Sequence, residues 1–334
     1  MSKQLSKKKK MVLWTLLVVT SLLLIVSLTA YIYLQSMLNL INRPDNSYPI
    51  VNPEDEFFET DEDAEGDEID PNDILWPEDD YGVIRDKNII NILLIGQDRR
   101  PGESRARSDS MIIATINKKN GTIKLTSLMR DLYVQIPGYS DNRINAAYAF
   151  GGMKLLNEVI EKNFKIHIDG NIEVDFEGFV KGIDIIGGIT LSLSEKEAEH
   201  LNKKGFSNVK AGEVNMDGEL ALEYARIRKI GNDFARTERQ RKVILAVAKK
   251  VKGSGISDLM ALANKVLPCV TTDMSNDQLM DLIFTAAKSD LSNIEQNRIP
   301  RNGSYKDAKI RGMLVLVPDL VKVREDLKNI IYGD

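Results

Sequence analysis

The stretch NILLIGQDRRPGESRARSDSMIIATI, residues 91–116, decides the fold. Its first part, read from Asn88 to Gly96, is a short, mostly apolar run closed by glycine, which reads as a buried strand. Its last part opens a second β-rich run, Met111 to Asn117, and a third follows at Thr122 to Met129. Asn120-Gly121 joins these two, and Asn-Gly is the strongest short-range hairpin signal because both residues tolerate positive φ. Adjacent antiparallel strands are therefore expected.

Downstream the pattern alternates. The spacing of Leu155, Leu156, Val159 and Ile160 predicts a helix over 152–163. A strand near Ile172 to Val174, a helix from Phe176 to Ile186, a break at Gly187-Gly188 and a strand from Ile189 to Leu193 follow. Further helices are predicted at Gly218 to Ala225, Phe234 to Val251 and Asn276 to Ala287, then a strand at Ile294 to Ile299 and a terminal helix from Pro318. Strands interleaved with helices, one pair antiparallel, imply an α/β domain with a single mixed β-sheet covered by helices on both faces.

Upstream, composition divides the chain. Residues 1–10 carry five lysines and no acid, and residues 11–34 contain no charge, enough as a helix to cross a bilayer core of about 30 Å. A cleaved signal peptide has a shorter apolar core and an A-x-A-like site that is not seen here. The lysine asymmetry puts residues 1–10 in the cytoplasm as a basic tail, 11–34 in the membrane as one transmembrane helix, and the rest outside the cell. Residues 41–82 hold 16 acids against the single base Arg43, so 35–82 is expected to be an acidic extended tether, with Ile74, Leu75 and Trp76 able to dock on the domain. Residues 83–334 keep 39 bases against 33 acids, a net of +6 that suits an anionic substrate or a polyanionic wall.

The residue inventory narrows the chemistry. Cys269 is alone and sits in an apolar context, so no intrachain disulfide forms. With only His167 and His200, His-rich zinc sites are excluded and little is left for a Ser-His-Asp triad. There is no P-loop, no GxGxxG after a strand and no GxSxG. Chemistry must rest on carboxylates, arginines or an oxygen-bound metal.

Those residues cluster in three places. Asp98 follows the first strand and Asp109 precedes the second, with Arg99, Arg100, Arg105 and Arg107 between them. Two carboxylates there could hold a hard divalent cation while arginines fork onto phosphate oxygens; the bland alternative is a solvated, self-paired loop. Arg130 and Asp131 end the hairpin's second strand, where Arg130 should approach Asp109. On the helix opening near Asp233, Arg236, Gln240, Val243, Val247 and Val251 share one face, which reads either as the mouth and wall of a pocket or as an ordinary amphipathic helix. Arg226 and Arg228 lie about 200° apart on a regular helix and can serve one ligand only if the helix ends there.

The segments NILLIGQDRRPGESRARSDSMI, LTSLMRDLYVQIPGYSDNRINAAYAFGG, VDFEGFVKGIDIIGGI, LEYARIRK and DFARTERQRKVI resemble, in order, the motif set of the LytR-CpsA-Psr family. The resemblance spans residues 91–244 and implies that 83–334 is an extracellular catalytic domain of the Gram-positive cell surface. It implies a Mg2+-dependent phosphotransferase that moves a polyprenyl-pyrophosphate-linked glycopolymer, such as teichoic acid or capsule, onto peptidoglycan. It assigns Asp98 and Asp109 to the metal, and Arg107, Arg130, Arg226, Arg228 and Arg236 to the phosphates with Gln240 beside them and Arg99 or Arg100 as a further ligand. Asp233 falls near the acceptor, with Asp233 or Asp98 as general base, and the lipid fills an apolar channel, for which Val243 and Val247 are the expected lining.

Two departures stand out: Gln97 where a small residue is expected, and the long acidic segment. The rival functions are a lipid-carrier pyrophosphate hydrolase and a membrane-bound transcriptional attenuator. Nucleic acid is not expected as a partner, because only ten residues lie on the cytoplasmic side. A surface scaffold would need no convergent Asp and Arg site.

Overall fold

The computed structural model describes residues 7–44, 51–58, 60, 68–78, 82–98 and 107–333. In chain order the elements are α1 (Lys7–Leu38), β1 (Ile89–Gln97), β2 (Ser108–Asn117), β3 (Ile123–Leu128), β4 (Tyr133–Val134), β5 (Asn142–Arg143) and α2 (Ile144–Phe164). Then come β6 (Gly170–Asp175), α3 (Phe176–Ile185), β7 (Ile189–Leu193), α4 (Glu195–Lys203), β8 (Gly212–Met216), α5 (Gly218–Arg226) and α6 (Asp233–Lys252). The chain closes with α7 (Ile256–Val266), β9 (Thr271–Thr272), α8 (Asn276–Lys288), β10 (Ile294–Ile299), β11 (Tyr305–Ile310), β12 (Met313–Pro318) and α9 (Leu320–Tyr332).

The central sheet is mixed, with order β10-β3-β2-β1-β6-β9. The pairs β1–β2, β2–β3 and β6–β9 are antiparallel, whereas β1–β6 and β3–β10 are parallel. Period-two alternation separates its faces. On one, Leu93, Ile95, Met111, Ile113 and Leu128 pack against Leu156, Val159 and Ile160 of α2 and Val323 and Leu327 of α9. On the other, Ile90, Ile92, Ile116 and Ile123 meet Leu279 and Met280 of α8. Farther along that second face, α3, α5 and α6 form a layer with the β7–β8 ribbon, around a core of Ile183, Leu191, Leu201, Tyr224 and Val243. Gly218 allows this layer to close: a Cβ there would stand 2.2 Å from the Val180 carbonyl oxygen, so α5 crosses α3 backbone to backbone.

The structure extends the expected elements. The helix placed at 152–163 begins at Ile144 and bends at Gly152, whose φ of 64° no side-chain-bearing residue adopts without strain. Not anticipated were α4, β8, α7 and the β11–β12 ribbon. Helix α4 buries only Glu197, Ala198 and Leu201, too little for apolar periodicity, although its Ser194 and Glu197 capping box is legible. The terminal helix starts at Leu320 under an Asp319 cap, because Pro318 ends β12.

Helix α1 contains the one described helix, Leu13–Leu38, long and apolar enough to cross a membrane. Its outer end is fastened to the domain. Leu38 and Ile41 are buried beside α8. Gln35 Nε2 donates to Asp277 Oδ1 at 3.3 Å, Arg43 Nη2 to Asn276 Oδ1 at 2.7 Å, and the Asn42 backbone bridges Val270 and Thr272.

The acidic segment also touches the domain along its described stretches. Trp76 stacks on Tyr133 and donates to Asp141, Ile74 packs beside it, and Leu75 points to solvent. Glu68 bridges Lys309, and residues 51–58 run along α2 and β5. Phe57, Phe58, Ile74 and Trp76, set among the acids, find ring or apolar partners on the domain, which a purely solvated tether would leave unused.

Candidate functional site

A cavity of about 620 Å³ opens between the sheet and the α3–α5–α6 layer. Leu94, Ile112, Ile172 and Val174 form its floor, alternate residues of three neighbouring strands, and Phe176, Phe179, Leu222, Val243 and Ile244 form its walls. At one end the lining turns polar: Asp98, Asp109, Ser110, Arg226, Arg228, Lys229, Arg236 and Gln240. Asp175, Glu223, His200 and Lys204 also line it, and an apolar cleft bordered by cations and carboxylates suits a molecule with an anionic head and a hydrocarbon tail.

Local backbone irregularities deliver the charged groups. The β1–β2 register shifts between Gly96 and Gln97, where Gln97 pairs with Ser108, so Asp109 sits in a bulge at the strand's end. Bulges re-aim side chains. Helix α5 ends at Arg226, and Ile227 takes an extended ψ of 115°, which frees Arg228 from the helical geometry that would have sent it elsewhere. Arg226 lies 4.4 Å over the Phe176 ring, and both arginines reach the cavity. Asn232 caps α6 by accepting from the Ala235 N–H, which starts that helix with Asp233, Arg236 and Gln240 toward the site.

The approach of Arg130 to Asp109 is as the hairpin geometry dictates: Nη1 to Oδ1 is 2.8 Å, while Arg228 Nη2 reaches Oδ2 at 3.0 Å. Burial alone would raise the Asp109 carboxyl, but Arg130, Arg236 and Arg228 outweigh it and hold it below the usual aspartate range. Arg130 is in turn buried, yet Asp131, Asp109 and Asp233 keep its guanidinium protonated beyond the ordinary arginine value. Arg236 is 2% exposed and donates to Asp233 Oδ2 at 2.9 Å. Burial pushes its guanidinium downward, with Asp233 opposing. Among the described residues, Arg236 Nε and Gln240 Oε1 are buried without a hydrogen-bond partner. Unpaired buried polar atoms are costly, and here a donor, Arg236 Nε, and an acceptor, Gln240 Oε1, belong to residues that line the cavity.

Of the residues singled out from sequence, Asp98, Asp109, Arg226, Arg228, Arg236, Gln240 and Val243 line the cavity. Arg130 and Asp233 stand immediately behind, 4.0 Å apart and each bonded to a lining residue. Arg107 is held in the same charged cluster, where burial and then Arg143 and Arg130 lower it to about 10. Val247 does not line the cavity; it packs against the core beneath α6, and Ile244, one residue beyond Val243, takes the place expected of it. Helix α6 is rotated so that its apolar face is shared between core and cavity. Arg99, Arg100 and Arg105 lie outside the described residues. Gln97 does not enter the cavity: it is buried and donates to Glu173, which also accepts from Tyr148.

Two positions were passed over, Arg143 and Arg239. Arg143 lies 3.5 Å from Asp131, whose carboxyl burial and then Asp233 raise against the pull of Arg130 and Arg143. Arg239 is 4% exposed, bonds Glu197 at 2.8 Å, and donates to the carbonyls of Ile227 and Ile230 at 3.0 and 2.7 Å. It therefore clamps the loop that carries Arg228. The only sequence signal for Arg239 was its place in DFARTERQRK, where helical spacing puts it off the Arg236 face.

Asp98 and Asp109 both line the cavity, and Mg2+ is usually held by one or two carboxylates plus substrate phosphates. Among the described residues no group of three or more His, Cys, Asp or Glu gathers as a self-sufficient metal site.

Fold and site together define an α/β protein with a partly apolar cavity, bordered by arginines and carboxylates, beneath a helical roof. The chain belongs to the LytR_cpsA_psr family, whose model matches residues 55–329. It is 34% identical over 224 residues to a polyisoprenyl-teichoic acid–peptidoglycan teichoic acid transferase, TagU, of Oceanobacillus iheyensis, covering 64% of this chain and 68% of the relative. Among solved structures, TagV of Bacillus subtilis is 30% identical with a TM-score of 0.59, covering 75% of this chain and all of that one. A TagT structure with bound octaprenyl pyrophosphate is 25% identical with a TM-score of 0.58, covering 74% and 91%.

Proposed function

We propose that this protein transfers a polyprenyl-pyrophosphate-linked glycopolymer, of which teichoic acid is the type carried by the relatives, to peptidoglycan. It is a single-pass membrane protein with its catalytic domain outside the cell; the five lysines before the span assign its N-terminus to the cytoplasm. The observation that carries the reading is the cavity whose apolar length ends at Arg226, Arg228 and Arg236, with unpaired buried polar atoms on Arg236 and Gln240.

In this reading the prenyl chain lies on Leu94, Ile112, Val174 and Phe179, and the diphosphate meets the arginines. An acceptor sugar hydroxyl attacks the polymer-proximal phosphorus, the new P–O bond joins glycan to wall, and the bond to the bridging oxygen breaks to release polyprenyl phosphate. Asp233 or Asp98 accepts the hydroxyl proton. The guanidiniums spread the charge that builds on the phosphoryl oxygens, where most catalysis of phosphoryl transfer resides. Asp98 and Asp109 would hold Mg2+, which supplies charge neutralisation at the diphosphate. Because both Asp109 oxygens accept from arginines here, metal binding would share that carboxylate with Arg130 and Arg228.

The test is reconstitution of the full chain in vesicles with a synthetic prenyl-pyrophosphate glycan donor, purified peptidoglycan and Mg2+. Phosphodiester-linked glycan in the wall fraction, lost on chelation, is expected. Release of free glycan phosphate without wall attachment would overturn transfer in favour of hydrolysis.

A further inference from the structure

We propose that the exposed apolar side of α8, centred on Ile283 and Phe284, is a docking surface for the outer leaflet of the bilayer, so that the domain is seated on the lipid and not merely tied to it. The proposal depends on α1 crossing the bilayer and not on which polymer is transferred.

The aromatic residues of α1 fix the level of the membrane. Trp14 stands near its inner end and Tyr31 and Tyr33 near its outer end, all three exposed. At the rise of an α-helix they are about 27 Å apart, close to the hydrocarbon thickness of about 30 Å, and Trp and Tyr favour the two water–lipid boundaries. The domain begins at the outer boundary. Asn264 of α7 donates from Nδ2 to the Tyr33 hydroxyl at 3.4 Å, and Gln35, which donates to Tyr31 at 3.0 Å, also donates to Asp277 of α8 at 3.3 Å. Gln35 lies about 3 Å along the axis past Tyr33, whereas the headgroup layer is about 5–7 Å deep. The last turn of α7 and the first turn of α8 therefore lie at headgroup depth.

Along α8, Asn276, Met280, Ile283, Phe284 and Ala287 fall on one side at helical spacing. The anchor covers only the beginning of that side. Asn276 meets Asn39 and Arg43, each at 2.7 Å, and Met280 is buried in the cluster that holds Leu38 and Ile41. One turn further on, Ile283 and Phe284 are 48% and 54% exposed, while Leu282 and Ala286 supply the packing toward the sheet. The acids of this helix that face outward are engaged: Asp277 by Gln35, and Asp281 by Lys118 at 2.8 Å. Lys265 and Lys288, both exposed, suit anionic headgroups. A helix side of this composition at this depth is covered by lipid, since interfacial helices bury their apolar side about 5–10 Å into the headgroup and acyl boundary. The seat also orients the site. Helix α8 and the α3–α5–α6 layer cover the same face of the sheet, and α3, which lends Phe176 and Phe179 to the cavity wall, packs on α7. Docking thus turns the cavity's side of the sheet toward the bilayer.

The experiment uses the full chain with Cys269→Ser, reconstituted in vesicles of phosphatidylglycerol and phosphatidylcholine, with one fluorophore attached at Phe284→Cys, Val321→Cys or Leu24→Cys. Val321 is exposed on α9, across the sheet, and Leu24 is exposed within the span. Lipids carry a nitroxide quencher high or low on the acyl chain. We expect the high nitroxide to quench the fluorophore at the Phe284 site about twofold, the low nitroxide to quench the one at the Leu24 site, and neither to reach the Val321 site. The quenching at the Phe284 site should persist in high salt, because an apolar seat is not screened. Ile283→Asp combined with Phe284→Asp should abolish the quenching of a fluorophore at Ala287→Cys while the melting temperature is kept, since both side chains are exposed. A Phe284 site no more quenched than the Val321 site, beside a quenched Leu24 site, would place α8 in water and overturn the docking surface. So would quenching that vanishes in high salt or survives the two aspartates. An unquenched Leu24 site would instead remove the span, and the proposal with it.

Discussion

Asp109 accepts from Arg130 and Arg228 on its two oxygens, and the consequences of that arrangement differ for each arm. The bond to Arg130 is shielded and charge-assisted, whereas Arg228 is 54% exposed and contributes little to stability. Asp109→Asn should lower unfolding free energy by about 1.5–3 kcal/mol, nearly all from Arg130, as measured by denaturant titration. Because the folded carboxyl lies below its ordinary value, its contribution is full above about pH 4 and disappears as pH falls through the lowered value. The gap between wild type and Asp109→Asn should therefore narrow in melts taken below about pH 4, and a gap constant with pH would contradict the ion-pair account. Arg239→Met removes one partner of a buried pair and should cost roughly 3–5 kcal/mol, with donor KM rising because the loop bearing Arg228 loses its clamp. Sequence disclosed the Arg130–Asp109 contact because hairpin register alone brings them together. It could not disclose that Arg228 meets the same carboxylate from 119 positions away, since that depends on where α5 stops.

The elements that read clearly were those with a strong period. Strand β7 and strand β10 lie where alternation and breaks put them, and α6 begins within a residue of its expected start. Helix α4 escaped because it buries few side chains and so leaves little apolar pattern, whereas β12, MLVLVP, is an apolar run with Met313 and Val315 buried, and its signal was legible but passed over. Helix α6 shows the limit of a helical wheel: it assigns residues to a face but not that face to a neighbour. Val243 and Val247 share a stripe, yet Val243 borders the cavity as well as the core and Val247 only the core. This separates two otherwise similar substitutions. Val243→Phe should block long-chain donors while short-chain donors are still used, so the ratio of their transfer rates falls severalfold. Val247→Phe should leave that ratio unchanged and destabilise the fold by about 1–3 kcal/mol through overpacking. Rates with both donors, set beside melting curves, check the pair, and a reversed pattern would mean that the tail follows another wall.

At the scale of the molecule, composition marks out an apolar span and an acidic segment, because charge and hydropathy need no tertiary information, while the family match begins within that acidic segment, at residue 55. What composition could not show is how these parts meet. Leu38 and Ile41 are 3% and 7% exposed, buried against α8, although one belongs to the anchor helix and the other follows it. A fragment beginning at residue 36 should be more stable than one beginning at residue 45 by about 2–5 kcal/mol, a difference in melting temperature on the order of 10 °C by calorimetry. Equal melting temperatures would mean that the junction adds nothing. The junction also sets what the enzyme can reach. With Asn42, Arg43 and Gln35 bonded to the domain, the anchor joins it as a mast and not as a rope, which would hold the cavity near one height above the lipid. The carrier lipid then arrives by sliding in the plane of the leaflet, a search in two dimensions, while the glycan strand must come down to meet it. A fixed mount of this kind would restrict the acceptor strands within reach to those lying nearest the membrane.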